Sequence, residues 1–454
     1  MSKLQKVLDI YKRYGFSGFF NKLDEKLHAP YRDYNKRIAE YLPSAAERKE
    51  QEKKQAEFPF RPLISIVVPT YETEERFLTD LLNSVQNQTY PKWELILADG
   101  SKTDRVRNCL ERYRRTNPLF GEGESLVRYQ RLEKNGGISE NTNEGLKLAQ
   151  GDYIAFMDHD DVLTENALYE AVTALNEKPY RFLYTDEDKV NVTLSFFEQP
   201  HFKKDFDLEL LRTNNYICHL LILEKKLLDE IGGFRKEFDG SQDYDLTLRA
   251  VEQIIFPDGK YHAEKRDEIH HIPKICYHWR MHDASTAGNS SSKSYTASAG
   301  LRAVEAHFKR LQIEAELTER IEVGCYRITY SKPPVEMFSD EKIEFRIAEG
   351  VVPRTGAKEE LLRTLMQEQV GAVCGKVYAK DGTIDQAGLK TLPDGGTEKL
   401  FHGLKGSYKG YERRAVLKQE SDAAGDTFSV INKELYMKPG TRILFDPDAK
   451  ADWT

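Results

Sequence analysis

Between Pro62 and Asp188 short apolar, β-branched runs alternate with amphipathic stretches, and four of those runs end in acidic or polar clusters. Residues 64–68 run into Pro69, and helical periodicity follows over 75–88 (Phe77, Leu81, Leu82, Val85), closing at Tyr90-Pro91. Residues 94–98 run into Asp99-Gly100-Ser101, and 153–157 into Asp158-His159-Asp160-Asp161, with a helix over 139–149 between them. A helix at 164–176 leads to a short strand at 182–184 that ends at Thr185-Asp186-Glu187-Asp188. A repeat of roughly 30 residues is the length of a βαβ unit, so the chain is α/β with a sheet parallel at its centre. Parallel strands end on one edge, where open α/β sheets bind ligands. Asp99, Asp158, Asp160 and Asp186 are therefore expected to crowd one cleft. One strand followed by Asp signals only a cap or turn; four in succession ask for another reason.

The spacing suggests the chemistry. Asp158-His159-Asp160-Asp161 puts three carboxylates into four residues, which repel one another unless a cation joins them. A hard divalent ion that also grips a diphosphate meets that need; an acidic turn capping the next helix is the plainer alternative. Asn135-Gly136-Gly137-Ile138-Ser139 is a glycine loop before a helix, suited to phosphate or another polar group. It matches neither the Walker A nor the GxGxxG pattern. Asp243, in Gly240-Ser241-Gln242-Asp243, reads as a helix cap or as a general base beside an acceptor hydroxyl. His278, Arg280 and His282 alternate, so on a strand they share one face able to bind phosphate or metal.

Composition narrows the class. With 67 Lys+Arg against 74 Asp+Glu the net charge is −7, which argues against nucleic acid as the main partner. Five scattered cysteines (109, 218, 276, 325, 374) without a CxxC pair fit a reducing compartment. No apolar run approaches a membrane span and no signal peptide opens the sequence, so a cytoplasmic protein, soluble or peripheral at the inner membrane face, is expected. Residues 1–37 carry nine Lys/Arg against four acids, with Leu4, Val7, Leu8 and Tyr11 at helical spacing and Phe16, Phe19 and Phe20 after them. Such a basic amphipathic helix lies on an anionic membrane or packs on its own domain. Residues 45–56 read as a solvated helix or connector.

Five segments then appear in a familiar order: PLISIVVPTYETEERFLTDLLNSVQNQTYPKWELILADGS, NGGISENTNEGLKLAQGDYIAFMDHDDVL, LYTDEDKV, GGFRKEFDGSQDYDLTLRA and HIPKICYHWRMHDAST. Together they resemble bacterial glycosyltransferase family 2, in particular polysaccharide-assembling members with an Asp-His-Asp-Asp motif, over residues ~60–290. The resemblance implies a GT-A fold, a nucleoside-diphosphate sugar donor and inversion at the anomeric carbon. By match of motif, Pro69, Thr70, Tyr71 and Glu72 line the nucleotide pocket and Asp99 touches base or ribose. Asn135, Gly136, Gly137 and Ser139 border the donor, and Asp186 and Asp188 lie near the sugar. Asp158 and Asp160 form the Mn2+ or Mg2+ and diphosphate motif, His282 reaches that metal, and Asp243 is the base. Glu72 departs from the Asn of many relatives.

This reading divides the chain into an extension and linker (1–60), a GT-A domain (61–320) and a C-terminal domain (321–454). The last is expected to be a reduced GT-A-like repeat, since 424–440 echoes 218–234 in an apolar strand followed by a short helix. An Asp-x-Asp motif is not recognisable there. Residues 345–350 occupy the place where one belongs, and Asp446 and Asp448 come too late. Acceptor binding, homodimerisation or stability are the roles left to it. The leading function is transfer of a sugar to a growing cell-surface polysaccharide or lipid-linked glycan; a sugar nucleotidyltransferase or a non-catalytic scaffold are the alternatives.

Overall fold

The structure is a computed structural model that describes residues 31–118, 120–282, 290–331 and 341–454. Residues 1–30, and with them most of the basic segment, lie outside the described residues. Helix α1 (Ala45–Lys54) is solvated, with no buried residue, and opens with a capping box between Ser44 and Glu47. Among the described residues no helix is long and apolar enough to cross a membrane.

Strands β1 (Ile64–Thr70), β2 (Trp93–Asp99), β3 (Leu126–Arg131) and β4 (Tyr153–Phe156) make the parallel half of a nine-stranded sheet, ordered β3-β2-β1-β4. Ile64, Ile66, Val67 and Val68 are wholly buried, as β1 has neighbours on both edges and layers on both faces. Helices α2 (Glu75–Gln86) and α3 (Arg105–Thr116) contribute Leu78, Leu81, Leu82 and Val85 and Val106, Cys109, Leu110 and Tyr113 to one core layer. Helix α4 (Ile138–Leu146) lies on the other face, where Gly145 lets it approach: a Cβ there would stand 3.0 Å from Val67 Cγ1.

Beyond β4 the sheet changes sense. It continues through β5 (Val162–Leu163), α5 (Ala167–Glu177), β6 (Phe182–Asn191), β7 (Phe197–His201), α6 (Leu208–Thr213), β8 (Leu221–Glu224), α7 (Lys225–Ile231), α8 (Gln242–Ile255) and β9 (Ile269–Met281). Strand β8 sits antiparallel between β4 and β6, β9 is parallel to β6, β5 closes the edge antiparallel to β9, and β7 pairs with β6. A parallel βα half joined through one reversed strand to a β6–β9 half is the GT-A-like arrangement that the resemblance implied. Helix α9 (Ser290–Arg310) and the hairpin β10 (Ala315–Glu319) and β11 (Tyr326–Tyr330) complete this half's core.

The C-terminal sheet is built from β12 (Ile343–Ile347), β13 (Val351–Pro353), α10 (Ala357–Leu365), β14 (Val370–Tyr378), β15 (Ile384–Gln386), a separate hairpin of β16 (Leu389–Thr391) and β17 (Thr397–Lys399), β18 (Gln419–Glu420), β19 (Phe428–Asn432) and β20 (Arg442–Trp453). Its order, β12-β19-β14-β20-β13 with β15 on β14, repeats β4-β8-β6-β9-β5 with β7 on β6, pairing sense for pairing sense. The registers agree too. Gly375 pairs with Asp446 as Thr185 pairs with Ile272, each just before an irregularity around a proline (Pro447, Pro273), after which Val377 meets Ala451 as Glu187 meets Tyr277. Followed from β12–β19 on one side and β13–β20 on the other, both registers put Ala348-Glu349-Gly350-Val351 where Asp158-His159-Asp160-Asp161 stand. None of the three aspartates of the metal motif has an acidic counterpart here, as Ala348, Gly350 and Val351 stand at Asp158, Asp160 and Asp161 and Glu349 falls at His159, and Gly375-Lys376-Val377-Tyr378 replaces Thr185-Asp186-Glu187-Asp188. Asp446 and Asp448, the late Asp-x-Asp spelling, are neutralised from within the fold. Lys418 Nζ lies 2.7 Å from Asp446 Oδ2 and 3.5 Å from Glu360 Oε1, and Arg320 holds Asp448 at 2.5 Å. The two sheets are joined by Arg266 on Glu420 (2.6 and 2.8 Å) and by buried Arg442 on Glu209 (3.0 Å).

Candidate active site

The ends of β1, β2 and β4 deliver Thr70, Asp99 and the Asp158 cluster to one edge of the sheet. Asp99 closes β2 at the cleft floor. Its side chain is fully buried; Oδ1 accepts from Ser101 N (3.0 Å), Ser101 Oγ (2.5 Å) and Thr70 Oγ1 (3.3 Å), and Oδ2 from Tyr129 OH (2.7 Å) and Arg131 Nη1 (3.1 Å). Both oxygens thus accept from inside the protein, and Asp99 orders the floor of the cleft through Ser101, Tyr129 and Arg131. Pro69 is half-buried and Tyr71 is 40% exposed, so this wall offers a ring to solvent. Glu72, at φ 48°, turns its carboxylate onto Lys102 N (2.7 Å), Thr103 N (3.0 Å) and Thr103 Oγ1 (2.6 Å), tying the loops after β1 and β2 together. The Thr103 hydroxyl bond is the main reason its carboxyl lies below the usual range.

The glycine loop is fixed from both sides. Asn135 Oδ1 accepts from Gly137 N (3.1 Å) and Asn141 Nδ2 (2.9 Å), and Gly136 N donates to Asn141 Oδ1 (3.0 Å). Gly137 has φ +97°, and a Cβ on it would lie 2.9 Å from Asp239 Oδ2. Ser139 Oγ donates to Asp239 Oδ1 (2.5 Å), which docks the loop on the segment leading into Asp243.

In the acidic cluster Asp158 keeps 41% of its side-chain surface open, Asp160 only 17%, and Asp161 is wholly buried. Asp161 is an internal brace, accepting from Tyr277 OH (2.6 Å) and Arg280 N (2.7 Å). Burial works against the charge on Asp160, but the 2.6 Å hydrogen bond to His282 and the His159 imidazole hold its carboxyl below the usual range. Asp158 is pushed up, first by burial and then by Asp160 and Asp243, against the opposing pull of His219. The expected common task of His278, Arg280 and His282 is divided. His278 bonds Asp188 (2.5 Å), Arg280 braces the backbone Asp160 O (2.6 Å) and Asp80 (3.0 Å), and of the three it is His282 that bonds a carboxylate of the acidic cluster, at Asp160 Oδ2.

Strand β6 corrects the placing of Asp186 and Asp188. Pairing with β9 carries the strand to Asn191, so Asp186-Glu187-Asp188 lies inside a strand and its side chains alternate between faces. Asp186 bonds His271 Nε2 (2.8 Å) and Lys203 N (2.8 Å), and Asp188 bonds Tyr34 OH (2.6 Å) and His278. Both are buried away from the cleft. Glu187 faces it instead, with Lys203 Nζ at 3.4 Å and His219 N at 3.1 Å. Burial opposes its charge, yet Lys203, His201 and His219 hold it at about 2.

Asp243, half-buried in the first turn of α8, accepts from Asn215 Nδ2 (2.8 Å) and Cys218 Sγ (3.7 Å), both on Oδ2. Burial first, and then the charges of Glu187, Asp243 and Asp158, push the Cys218 thiol well up. Sequence reasoning missed Glu187, Asn215, Cys218, His219 and Tyr277. Only Glu187 had a signal, the strict alternation that a longer β6 would impose.

Residues 65–232 match the model of the family described as Glycosyl transferase family 2. The chain carries a family 2 glycosyl transferase domain. It is 39% identical over 251 residues to uncharacterized protein y4gI of Sinorhizobium fredii, covering 55% of this chain and 26% of that protein. It is 34% identical over 271 residues to the O-antigen biosynthesis protein RfbC of Myxococcus xanthus, covering 60% of this chain and 20% of that one. The matched stretches thus span about a quarter or less of these relatives' own length. Among solved structures, Staphylococcus aureus TarS 1–349 in complex with UDP is 25% identical with a TM-score of 0.38, over 55% of this chain and 69% of that one.

The family 2 domain offers donors suited to a divalent cation. Ligand atoms of Asp158, Asp161 and His219 lie within 4.8 Å of one another, and the Asp160–His282 pair adjoins them. The carboxylate oxygens suit Mn2+ or Mg2+, an imidazole nitrogen among the ligands favours Mn2+ of the two, and crowded charge on a partly open Asp158 is what a cation relieves. The braced Asp161 is the least available of the set.

Proposed function

We propose that this chain transfers a sugar from a nucleoside-diphosphate donor to a hydroxyl of a cell-surface polysaccharide or its lipid-linked precursor, with inversion at the anomeric carbon. The observation that carries the reading is Asp243, whose two donors both sit on Oδ2 while Oδ1 accepts no hydrogen bond among the described residues. That oxygen takes the proton from the acceptor hydroxyl as it attacks C1 from the face opposite the diphosphate. One base and a single displacement need no covalent sugar–enzyme adduct. Asp158 and Asp160, with His282, would hold Mn2+ or Mg2+, which when bound would supply positive charge against that building on the leaving diphosphate. The Asn135–Ser139 loop borders the donor, Pro69 to Glu72 border its nucleotide, and Glu187 and Lys203 supply the charged wall that Asp186 and Asp188 do not.

Two relatives support the class of acceptor: RfbC, named for O-antigen biosynthesis, and TarS, named a poly(ribitol-phosphate) β-N-acetylglucosaminyltransferase, the latter 29% identical over 222 residues. The C-terminal half-sheet is non-catalytic in this reading, supported by Ala348–Val351 standing at the metal-motif register. The basic stretch 1–37 serves a membrane surface where a lipid-linked acceptor resides, motivated by its charge surplus; deleting it should reduce co-sedimentation with anionic liposomes.

The test is release of nucleoside diphosphate from a panel of UDP-, GDP- and dTDP-sugars with Mn2+, with Mg2+ and with EDTA. At least one donor is expected to turn over with metal, and Asp243→Asn to lose transfer while still binding donor. A chain that neither binds nor turns over any donor overturns the reading.

A further inference from the structure

The catalytic carboxylate is steered by a loop that the two sheets hold jointly. Asn214 Nδ2 donates to Gly324 O (2.8 Å) and its backbone bridges Cys325, while Thr213 Oγ1 donates to Lys418 O (3.2 Å) in the C-terminal half. Next in sequence, Tyr216 OH accepts from Asp207 N (2.9 Å). Asn215, between these anchors, donates Nδ2 to Asp243 Oδ2 (2.8 Å), and its own Oδ1 is buried with no partner among the described residues. An amide turned the other way would set two oxygens against each other, so the orientation that puts Nδ2 on Asp243 is kept although it leaves Oδ1 orphaned. Orphaned buried polar atoms are rare enough to need a reason, and steering Asp243 is one.

We propose that Asn215 is the positioning residue of the transfer reaction: it binds Oδ2 of Asp243 and so turns Oδ1 toward the acceptor hydroxyl. The inference rests on Asp243 being the base. Cys218, a buried thiol on the same loop, gives Oδ2 its second, weaker donor. The titratable groups that sense Asp243 are Asp158 across the cleft, Cys218 on the loop, Tyr244 on α8 and Tyr326 on β11. Of these, the loop with Asn215 and Cys218 supplies the side-chain donors to its carboxylate.

The experiment compares the full chain with Asn215→Ala, Asn215→Asp and Asn215→Gln, measuring kcat and KM against pH with the best donor from the panel. Removing a donor from a carboxylate favours its protonated form. Asn215→Ala should therefore lower kcat by about tenfold or more, leave donor KM within about twofold, and move the acid limb of the pH profile upward. Asn215→Asp should move that limb further, by adding a like charge, and Asn215→Gln should recover part of the loss. A purely structural role would lower activity at every pH alike. Variants that fold as wild type and whose acid limbs superimpose on it overturn the proposal. A wild-type chain that turns over no donor overturns the functional reading itself, a result distinct from an active wild type with unmoved variants.

Discussion

Acidification should loosen the joint between the two sheets through Glu209. This residue of α6 is fully buried; Oε1 accepts from Arg212 Nη1 (2.8 Å) and Arg442 Nη1 (3.0 Å), and Oε2 from Tyr330 OH (2.7 Å). Burial opposes its charge, but the two guanidinium groups and the tyrosine hold the carboxyl at about 2, against an ordinary 4.5. Arg442 shifts in the matching direction, upward: burial pulls it down, but Glu209, Tyr261 and Glu420 together outweigh that cost. Between those two pH values the unfolded chain binds the proton and the folded one does not, so stability falls as the pH falls. The gap of about 2.5 pH units, at about 1.4 kcal/mol each, amounts to about 3 kcal/mol. This contribution is whole above pH ~4.5 and lost as the pH drops through about 2. Denaturant titrations of wild type and Glu209→Gln from pH 7 to pH 2 read it directly. The variant is less stable at pH 7, and the difference shrinks by about 3 kcal/mol on acidification. Parallel stability curves, separated by a constant amount at every pH, would refute the reasoning.

Asp188→Asn should leave donor binding within about twofold and cost about 1–3 kcal/mol of stability by disturbing Tyr34 and His278; a selective loss of donor affinity would return this residue to the cleft. Asp160→Asn should weaken Mn2+ binding, measured by calorimetry without donor, by about tenfold or more. Unchanged Mn2+ affinity would remove Asp160 from the ion. Gly137→Ala forces a side chain into a backbone region suited to glycine and against Asp239, so it should cost about 1–3 kcal/mol and raise donor KM. Wild-type melting and KM would show that the loop relaxes freely.

The order of elements was legible in the sequence because it is written in local periodicity. The buried runs at 64–68, 94–98 and 153–157, the 3.6-residue spacing of α2 and the acidic ends of the strands each depend on neighbours a few positions away. They were enough to predict three of the four strands of the parallel half and the Asp158 cluster. The C-terminal half-sheet was visible in outline too, in the echo of 218–234 at 424–440, and the registers turn that echo into a position-by-position match. Helix α3 and strand β3 drew no notice: α3 is mostly charged around four buried residues, and β3 is an edge strand with only Val127 buried.

The side chains that face the cleft were decided by contacts between distant segments. Pairing with β9 lengthened β6, and strand alternation then turned Glu187 inward and Asp186 and Asp188 outward. Asp99 lost its free oxygens to Ser101, Tyr129 and Arg131, which only the packed sheet brings to it. Asn215 reached Asp243 because α6 is clamped by partners more than 200 residues away in sequence, Lys418 on Thr213 and Arg442 on Glu209. Residue type and spacing determined that carboxylates gather at one sheet edge; which of them keep an open oxygen depends on the long-range hydrogen bonds that claim the rest.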